Sequence, residues 1–450
     1  MSAAGAATGE LWRLGVLPLL RLIRSKEASP VEVVRAFLDR IDAVNDDLNA
    51  VVTLRRADAL REAGDAEHLV AGGGAQALTG LPFTVKDTIE TAGVRTTAGS
   101  KLRAGVVPGR DAPIVSRMRS EGAILLGKTN TPEFAMTYST DNDLFGRTRN
   151  PLDRDLTAGG SSGGEAAIIA AGGSPLGWGS DFGGSVRVPA AFCGIAGLRP
   201  TEGRLPSQGH VPTLPPPFEA MSLVGPLSRS AADLETVMAA VDPSWHTFST
   251  GIRGLRVGFM VEDGVVPVAA EVMRAVREAA GSLEVDRPVE EVQIPCLPEL
   301  YALWDELWEA SGGVRGLLRG YITDESAVSR PLRKLLDASP GTPDSRRLEK
   351  AERKLEELRT TVDRFMEGLD VILCPVAAGP PGERAGSWTI RKIEIRGSRG
   401  FGYSYVWSLL GYPAVAVAFP PAARPVTAVQ VVAKRGQDEV ALAVARAMGG

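Results

Sequence analysis

The chain has 450 residues, 44% of them apolar, and a formal net charge of −4, which describes an ordinary soluble globular protein with a substantial core. The slightly acidic balance gives no reason to propose nucleic acid or an anionic membrane as a partner. Three widely spaced cysteines, Cys193, Cys296 and Cys374, include no CxxC pair, so they argue against a disulfide framework or a zinc site and read as reduced, mostly buried thiols of a cytoplasmic protein.

In chain order, the apolar stretch 11–23 (LWRLGVLPLLRLI) carries Arg13, Pro18 and Arg21 and lacks a cleavage site, so it is expected to be an amphipathic helix packed on the body. No run approaches the ~20 apolar residues needed to span a bilayer. Ser29-Pro30-Val31-Glu32 is a capping box that opens a second helix, with Ser29 at N-cap, Pro30 at N1 and Glu32 at N3. Between 80 and 200, strand-like runs (LPFTVK, GAILLGK, PLGWGSD) alternate with helical ones (DAPIVSRMRSEG, GEAAIIAAGG). That alternation predicts an α/β fold with a mixed, largely parallel central sheet covered by helices on both faces. Residues 206–217 read as a loop, ADLETVMAAVD as a helix, GLRVGFMVE as a strand and AAEVMRAVREAAGSL as a helix. The charged stretch 298–370 reads as helical, with SRRLEKAERKLEELRTTVDRFMEGL its longest element and its charges on a solvated face. The closing part reads as a strand (DVILCPV), a loop holding Trp388, a helix around YSYVWSLLG, two strands (AVAVAFP, TAVQVVAK) and a terminal helix.

Two serines and one lysine carry the chemistry. Ser161 and Ser162 lie in AGGSSGGEAA, Ser185 follows a glycine pair in GSDFGGSVRVP, and Lys86 ends the apolar run GLPFTVK. Glycine-dense turns let the backbone pass close to a ligand and let N–H groups converge on one point, as a developing oxyanion requires. A serine after such a turn is a candidate nucleophile that still needs a base. Of the three histidines, His68 reads as exposed on a helix and His246 as a loop residue, which leaves His210 as the only plausible triad member. Lysine is the preferred base, provided that burial keeps it neutral near pH 7. The competing view of Lys86 is a structural ion pair with its neighbour Asp87.

Two motif matches are decoys. Gly122–Thr129 satisfies GxxxxGK[ST], yet its Ala-Ile-Leu-Leu interval reads as a buried strand rather than a phosphate loop. Gly160–Gly164 satisfies GxSxG, yet no histidine follows His246, as a hydrolase elbow of that type would need.

Taken together, GLPFTVKDTIE, GKTNTPEFAM, AGGSSGGEAAIIAAGGSPLGWGSDFGGSVRVPAAFCGIAGLRPT and GPLSRSAADL closely resemble the amidase signature family, strongly over about residues 80–240. The resemblance implies an amide hydrolase in which Ser185 forms the acyl-enzyme, Ser161 relays protons after a cis Gly160–Ser161 bond, and neutral Lys86 is the base. It implies an oxyanion hole from the backbone N–H groups of Phe182, Gly183, Gly184 and Ser185. It gives Ser162, Ser180, Asp181 and Arg187 supporting places. No metal or organic cofactor is implied, and the partner is a small-molecule amide. A homodimer is entertained, although oligomeric state is not legible in the sequence.

The chain is expected to be one domain, 1–450, with N-terminal helices over 1–75, the catalytic core over 80–240 and a variable cap at about 295–400. Two alternatives are the glutaminase (A) subunit of a tRNA-dependent amidotransferase and a non-catalytic binding member of the fold. The first typically places Asp-Gln before a Gly-Pro pair; here Ser222-Leu223-Val224 precede Gly225-Pro226, which points to a substrate less polar than glutamine. Ester or carbamate cleavage by the same acyl chemistry stays open. Trp304 and Trp308, one helical turn apart, are expected mainly in the core, and with Trp388 and Trp407 they are also candidates for an aromatic pocket.

Overall fold

The computed structural model describes residues 8–421 and 426–449. The capping box forms as its spacing requires: Ser29 Oγ accepts the Glu32 N–H at 3.1 Å, Glu32 Oε2 accepts the Ser29 N–H at 2.8 Å, and the helix runs Pro30–Leu48. The segment expected as one helix over 11–23 is instead a 3-10 turn, Thr8–Arg13, followed by an α-helix, Val16–Ser25. The break falls at Leu14 and Gly15 because Pro18, which has no N–H to donate, is accommodated in a first helical turn and not further inside.

Among the described residues thirteen strands form: β1 (Val51–Leu54), β2 (Pro82–Lys86), β3 (Ile124–Thr129), β4 (Leu176–Asp181), β5 (Ala196–Arg199), β6 (Leu223–Ser228), β7 (Val257–Phe259), β8 (Glu290–Glu291), β9 (Val371–Pro375), β10 (Ser387–Ile390), β11 (Ile393–Arg396), β12 (Ala414–Ala418) and β13 (Ala428–Ala433). Eleven of them make one mixed sheet in the order β1-β3-β2-β4-β6-β5-β12-β13-β9-β7-β8, while β10 and β11 form a separate hairpin. Parallel pairing occupies two runs, β3-β2-β4 and β9-β7-β8, and the strands between them run antiparallel. Side chains alternate between two apolar clusters on opposite faces: Val371 and Leu373 of β9 join one, Ile372 and Cys374 the other.

Six strands are not legible in the sequence: β1, β5, β6, β8, β10 and β11. β1 and β5 have only four residues each, and β6 carries Gly225-Pro226, a pair that ordinarily speaks against a strand interior. β5 pairs with β6 only at Leu227 and Ser228, so the proline sits beyond that ladder. Trp388, expected in a loop, belongs to β10; Gly386 at φ +77° and the left-handed turn at Arg391 and Lys392 allow the short hairpin.

Candidate active site

The parallel trio β3-β2-β4 sets the site at its carboxyl end, where such sheets commonly place chemistry. Lys86 is the last residue of β2, paired with Thr129 of β3, and its side chain is fully buried. β4 ends on Ser180-Asp181, the chain turns through Phe182-Gly183-Gly184-Ser185, and a helix begins at Arg187. Ser161 and Ser162 precede the helix Gly163–Ala170, and the Gly160–Ser161 peptide is cis. Two glycines of these turns are obligatory. A Cβ on Gly160 would lie 2.8 Å from the Tyr138 carbonyl carbon, and Gly184, at φ +118°, would bring one to 2.7 Å from Ser404 Cβ.

Lys86 Nζ lies 2.6 Å from Ser161 Oγ and donates to Ser180 Oγ at 2.8 Å. Burial lowers its pKa from the ordinary lysine value to about 7, against the opposing charges of Asp181 and Glu165. The alternative Lys86–Asp87 ion pair does not form. Asp87 instead accepts from the Thr97 N–H at 3.1 Å and from the Thr97 hydroxyl, and burial raises its pKa against the opposing charge of Lys128. Lys128, the lysine of the phosphate-loop decoy, is buried in β3 with Nζ on the Ile89 carbonyl and Thr91 Oγ1. Beneath the site, Glu165 accepts from Thr84 and Thr129, and burial pushes its pKa up to about 7.

Asp181 and Arg187 form a fully buried two-pronged pair, with Nε to Oδ2 at 3.0 Å and Nη2 to Oδ1 at 2.9 Å. Burial alone would raise the Asp181 carboxyl, but the guanidinium overrides it and holds the group well below the usual carboxylate range. Arg187 is anchored further by the Ser404 carbonyl, Gln430 Oε1 and Ser408 Oγ. Asp181 also accepts the N–H groups of Gly184 at 2.8 Å and Val186 at 3.1 Å, which clamps the glycine turn around a charged core. The Gly184 N–H expected in an oxyanion hole is therefore turned toward Asp181. Ser162 accepts the Ser180 N–H at 3.3 Å, and its own N–H donates to the Ser185 carbonyl at 3.1 Å, which ties the two serine loops together.

Ser161, Ser180, Phe182, Gly183 and Ser185 all line one cavity of about 570 Å³. Aromatic rings form part of its wall: Phe182 lies 5.3 Å from Trp304 and 5.9 Å from Trp308, ring centre to ring centre. Trp304 is thus both a core residue and a pocket wall, and Trp308 lines the pocket beside it. Trp388 and Trp407 do not line it; the first packs on Phe401 and the second, fully buried, on Tyr412. Two lining residues have no sequence signal as such. Tyr138 donates to the Gly183 carbonyl at 2.9 Å and stacks on Phe401. Met136 comes from the segment that follows β3. His210, the one histidine that qualifies in sequence as a triad base, has its Nε2 2.9 Å from Ser180 Oγ instead. His68 is exposed, as expected, and His246 is exposed as well. No group of His, Cys, Asp and Glu set to hold a metal occurs among the described residues, and no helix there is long and apolar enough to cross a membrane.

The fold and site define an α/β protein with a buried lysine and two serines at the floor of an aromatic-walled cavity. The chain belongs to the amidase family, whose model, described as Amidase, matches residues 32–442. It is 39% identical over 303 residues to the A-subunit of the glutamyl-tRNA(Gln) amidotransferase of Carboxydothermus hydrogenoformans, covering 64% of this chain and 62% of that one. Its counterpart from a Geobacter species is 37% identical over 304 residues, with 64% and 61% covered. The chain thus spans about three fifths of the length of these curated relatives. Among solved structures, a crystal structure of an amidase superposes with a TM-score of 0.87 at 28% identity, covering 97% of this chain and 99% of that one. A bacterial aryl acylamidase of the amidase signature family gives 0.82 at 27%, covering 97% and 95%.

Proposed function

We propose that this protein hydrolyses a carboxylic amide to a carboxylate and an amine or ammonia through an acyl-enzyme on Ser185. The observation that carries the reading is the buried Lys86, 2.6 Å from Ser161 Oγ at the floor of the cavity that Ser185 also lines. Burial leaves a large fraction of Lys86 neutral at pH 7, so its lone pair takes the Ser161 proton as Ser161 takes that of Ser185. The Ser185 oxygen adds to the carbonyl carbon, and the resulting oxyanion is met by backbone N–H groups of the turn. Phe182, Gly183 and Ser185 supply them, since the Gly184 N–H serves Asp181. One such donor is worth about 3–4 kcal/mol. Ser161 then returns a proton to the leaving nitrogen, and water resolves the acyl-enzyme by the same relay in reverse.

The aromatic walls support a substrate with an apolar acyl or amine portion, and aryl amides are the first class to try. The helix Leu297–Ala310, within the 295–400 segment read as a variable cap, contributes Trp304 and Trp308 to that wall.

A second reading, the glutaminase component of a tRNA-dependent amidotransferase, is favoured by the identity of the sequence relatives. The cavity speaks for the first. Among the described residues its carboxylates are Asp305 and Glu309, with no arginine or lysine to meet the α-carboxylate of glutamine. Ser222, of the Ser222-Leu223-Val224 run that stands before Gly225-Pro226 where the glutaminase component has Asp-Gln, also lines the cavity.

The test is intact mass after treatment with a fluorophosphonate, on the parent protein, Ser185→Ala and Lys86→Ala, followed by turnover of aryl, alkyl and peptide amides and of glutamine. A single adduct lost in Ser185→Ala and much slowed in Lys86→Ala, with aryl or alkyl amide turnover, is expected. An adduct that survives in Ser185→Ala overturns the nucleophile. Turnover confined to glutamine, and raised by partner proteins, establishes the second reading.

A further inference from the structure

His210 lies 25 residues beyond the nucleophile in a loop, and nothing in the proposed relay uses it. Its ring is buried against the site, with Nδ1 3.2 Å from the Pro212 carbonyl and Nε2 2.9 Å from Ser180 Oγ. A carbonyl oxygen only accepts, so Nδ1 carries a proton. Burial and the adjacent Lys86 keep the ring from taking a second one, with a pKa pushed down to about 3. Nε2 is then a bare acceptor, and the Ser180 hydroxyl must donate to it. Having one proton, Ser180 has only lone pairs left for Lys86, so the 2.8 Å contact is an N–H of Lys86 donated to Ser180. The chain of donors is thereby directed: Lys86 to Ser180, Ser180 to His210, His210 to Pro212.

We infer that His210 is a positioning residue that, through Ser180, keeps the Lys86 lone pair aimed at Ser161. A neutral lysine has one lone pair. Were the Ser180 hydroxyl free to rotate, its proton would compete with that of Ser161 for this lone pair, and the base would be occupied part of the time by the wrong serine. The His210 loop is built to hold its place. Ile89 forms a bridge with His210, Glu90 N–H donates to the Gly209 carbonyl at 2.8 Å, and Val211 N–H donates to the Thr88 carbonyl at 2.8 Å. The strand end that carries Lys86 therefore also carries the segment that fixes His210.

This inference rests on Lys86 being the base for Ser185. The experiment follows the rate of fluorophosphonate acylation at saturating probe, and separately the probe concentration at half-saturation, for the parent, His210→Ala, His210→Gln, Ser180→Ala and the double variant His210→Ala/Ser180→Ala. Each variant is first checked for a parental circular-dichroism spectrum and unfolding midpoint. His210→Ala is expected to slow acylation on the order of 10- to 100-fold, the scale of a hydrogen bond to an ionisable group, with half-saturation unchanged. His210→Gln, whose side-chain oxygen can accept the Ser180 proton, is expected to restore most of the rate. In the Ser180→Ala background, removal of His210 is expected to have little further effect, because the two act as one unit. A parental rate in His210→Ala, or an equal loss with and without Ser180, overturns the inference. Failure of the underlying reading shows up differently, as parental acylation in Lys86→Ala or an adduct that does not depend on Ser185.

Discussion

At the scale of single residues, the site depends on which charges the fold desolvates and which it pairs. Lys86 has no carboxylate in hydrogen-bond contact and is held by hydroxyls, so burial sets its pKa to about 7. Only the neutral amine accepts a proton, so the rate of Ser185 acylation is expected to rise with pH through a midpoint near 7 and then level off. A profile flat from about pH 5.5 to 9 would contradict the assignment of Lys86 as base. Asp181 and Arg187 show the opposite solution, a buried pair in which each neutralises the other. Asp181→Asn removes the charge facing a fully buried guanidinium and is expected to cost about 3–5 kcal/mol in urea unfolding. A loss below about 1 kcal/mol would show that Ser404, Gln430 and Ser408 suffice to hold Arg187. His210 is visible in the sequence as a residue but not as a function. It stands 30 positions from Ser180, and only the folded loop brings them together.

At the scale of elements, local signals serve well where a single chemical feature decides the outcome. The capping box at Ser29 is complete, with both reciprocal hydrogen bonds made, so Ser29→Ala is expected to lower stability by about 1 kcal/mol. The measurement is the urea midpoint, which should fall with the slope unchanged. β2, β3 and β4 are legible as apolar runs because each is buried on both faces. β5 and β6 are not, since one is only four residues long and the other contains proline; their place in the sheet comes from partners on either side. The 3-10 turn and helix at the N-terminus show the same limit, because apolar content predicts burial but not where a helix breaks.

At the scale of the whole molecule, distant segments meet over the floor that holds Ser161 and Ser185. Phe182 from the turn before Ser185, Trp304 and Trp308 from the helix Leu297–Ala310, and Tyr138 with Phe401 contribute to the walls of one cavity. Its charged lining, Asp305 and Glu309, has one sign. Of two isosteric amides, the one with a distal cationic group is expected to show a kcat/KM about 5- to 10-fold above its anionic counterpart at low ionic strength, the gap narrowing as salt is added. Asp305→Asn combined with Glu309→Gln is expected to abolish that preference while leaving fluorophosphonate labelling intact. Equal turnover of both amides by the parent would remove these carboxylates from substrate selection.

The amino-acid sequence identified the family and the α/β class and marked Lys86, Ser161 and Ser185 as candidates for the chemistry. It could do so because a glycine-dense turn and a lysine ending an apolar strand are local demands that few side chains meet. The tertiary structure alone decided that Asp87 pairs away from Lys86, that the Gly184 N–H is turned to Asp181, and that His210 and Tyr138 belong to the site. It also decided that Trp304 and Trp308 line the cavity whereas Trp388 and Trp407 do not. Each of these depends on contacts between segments that are separate in the sequence, and on the direction in which a single proton or lone pair points. Neither is written in the composition or periodicity of any one stretch of chain.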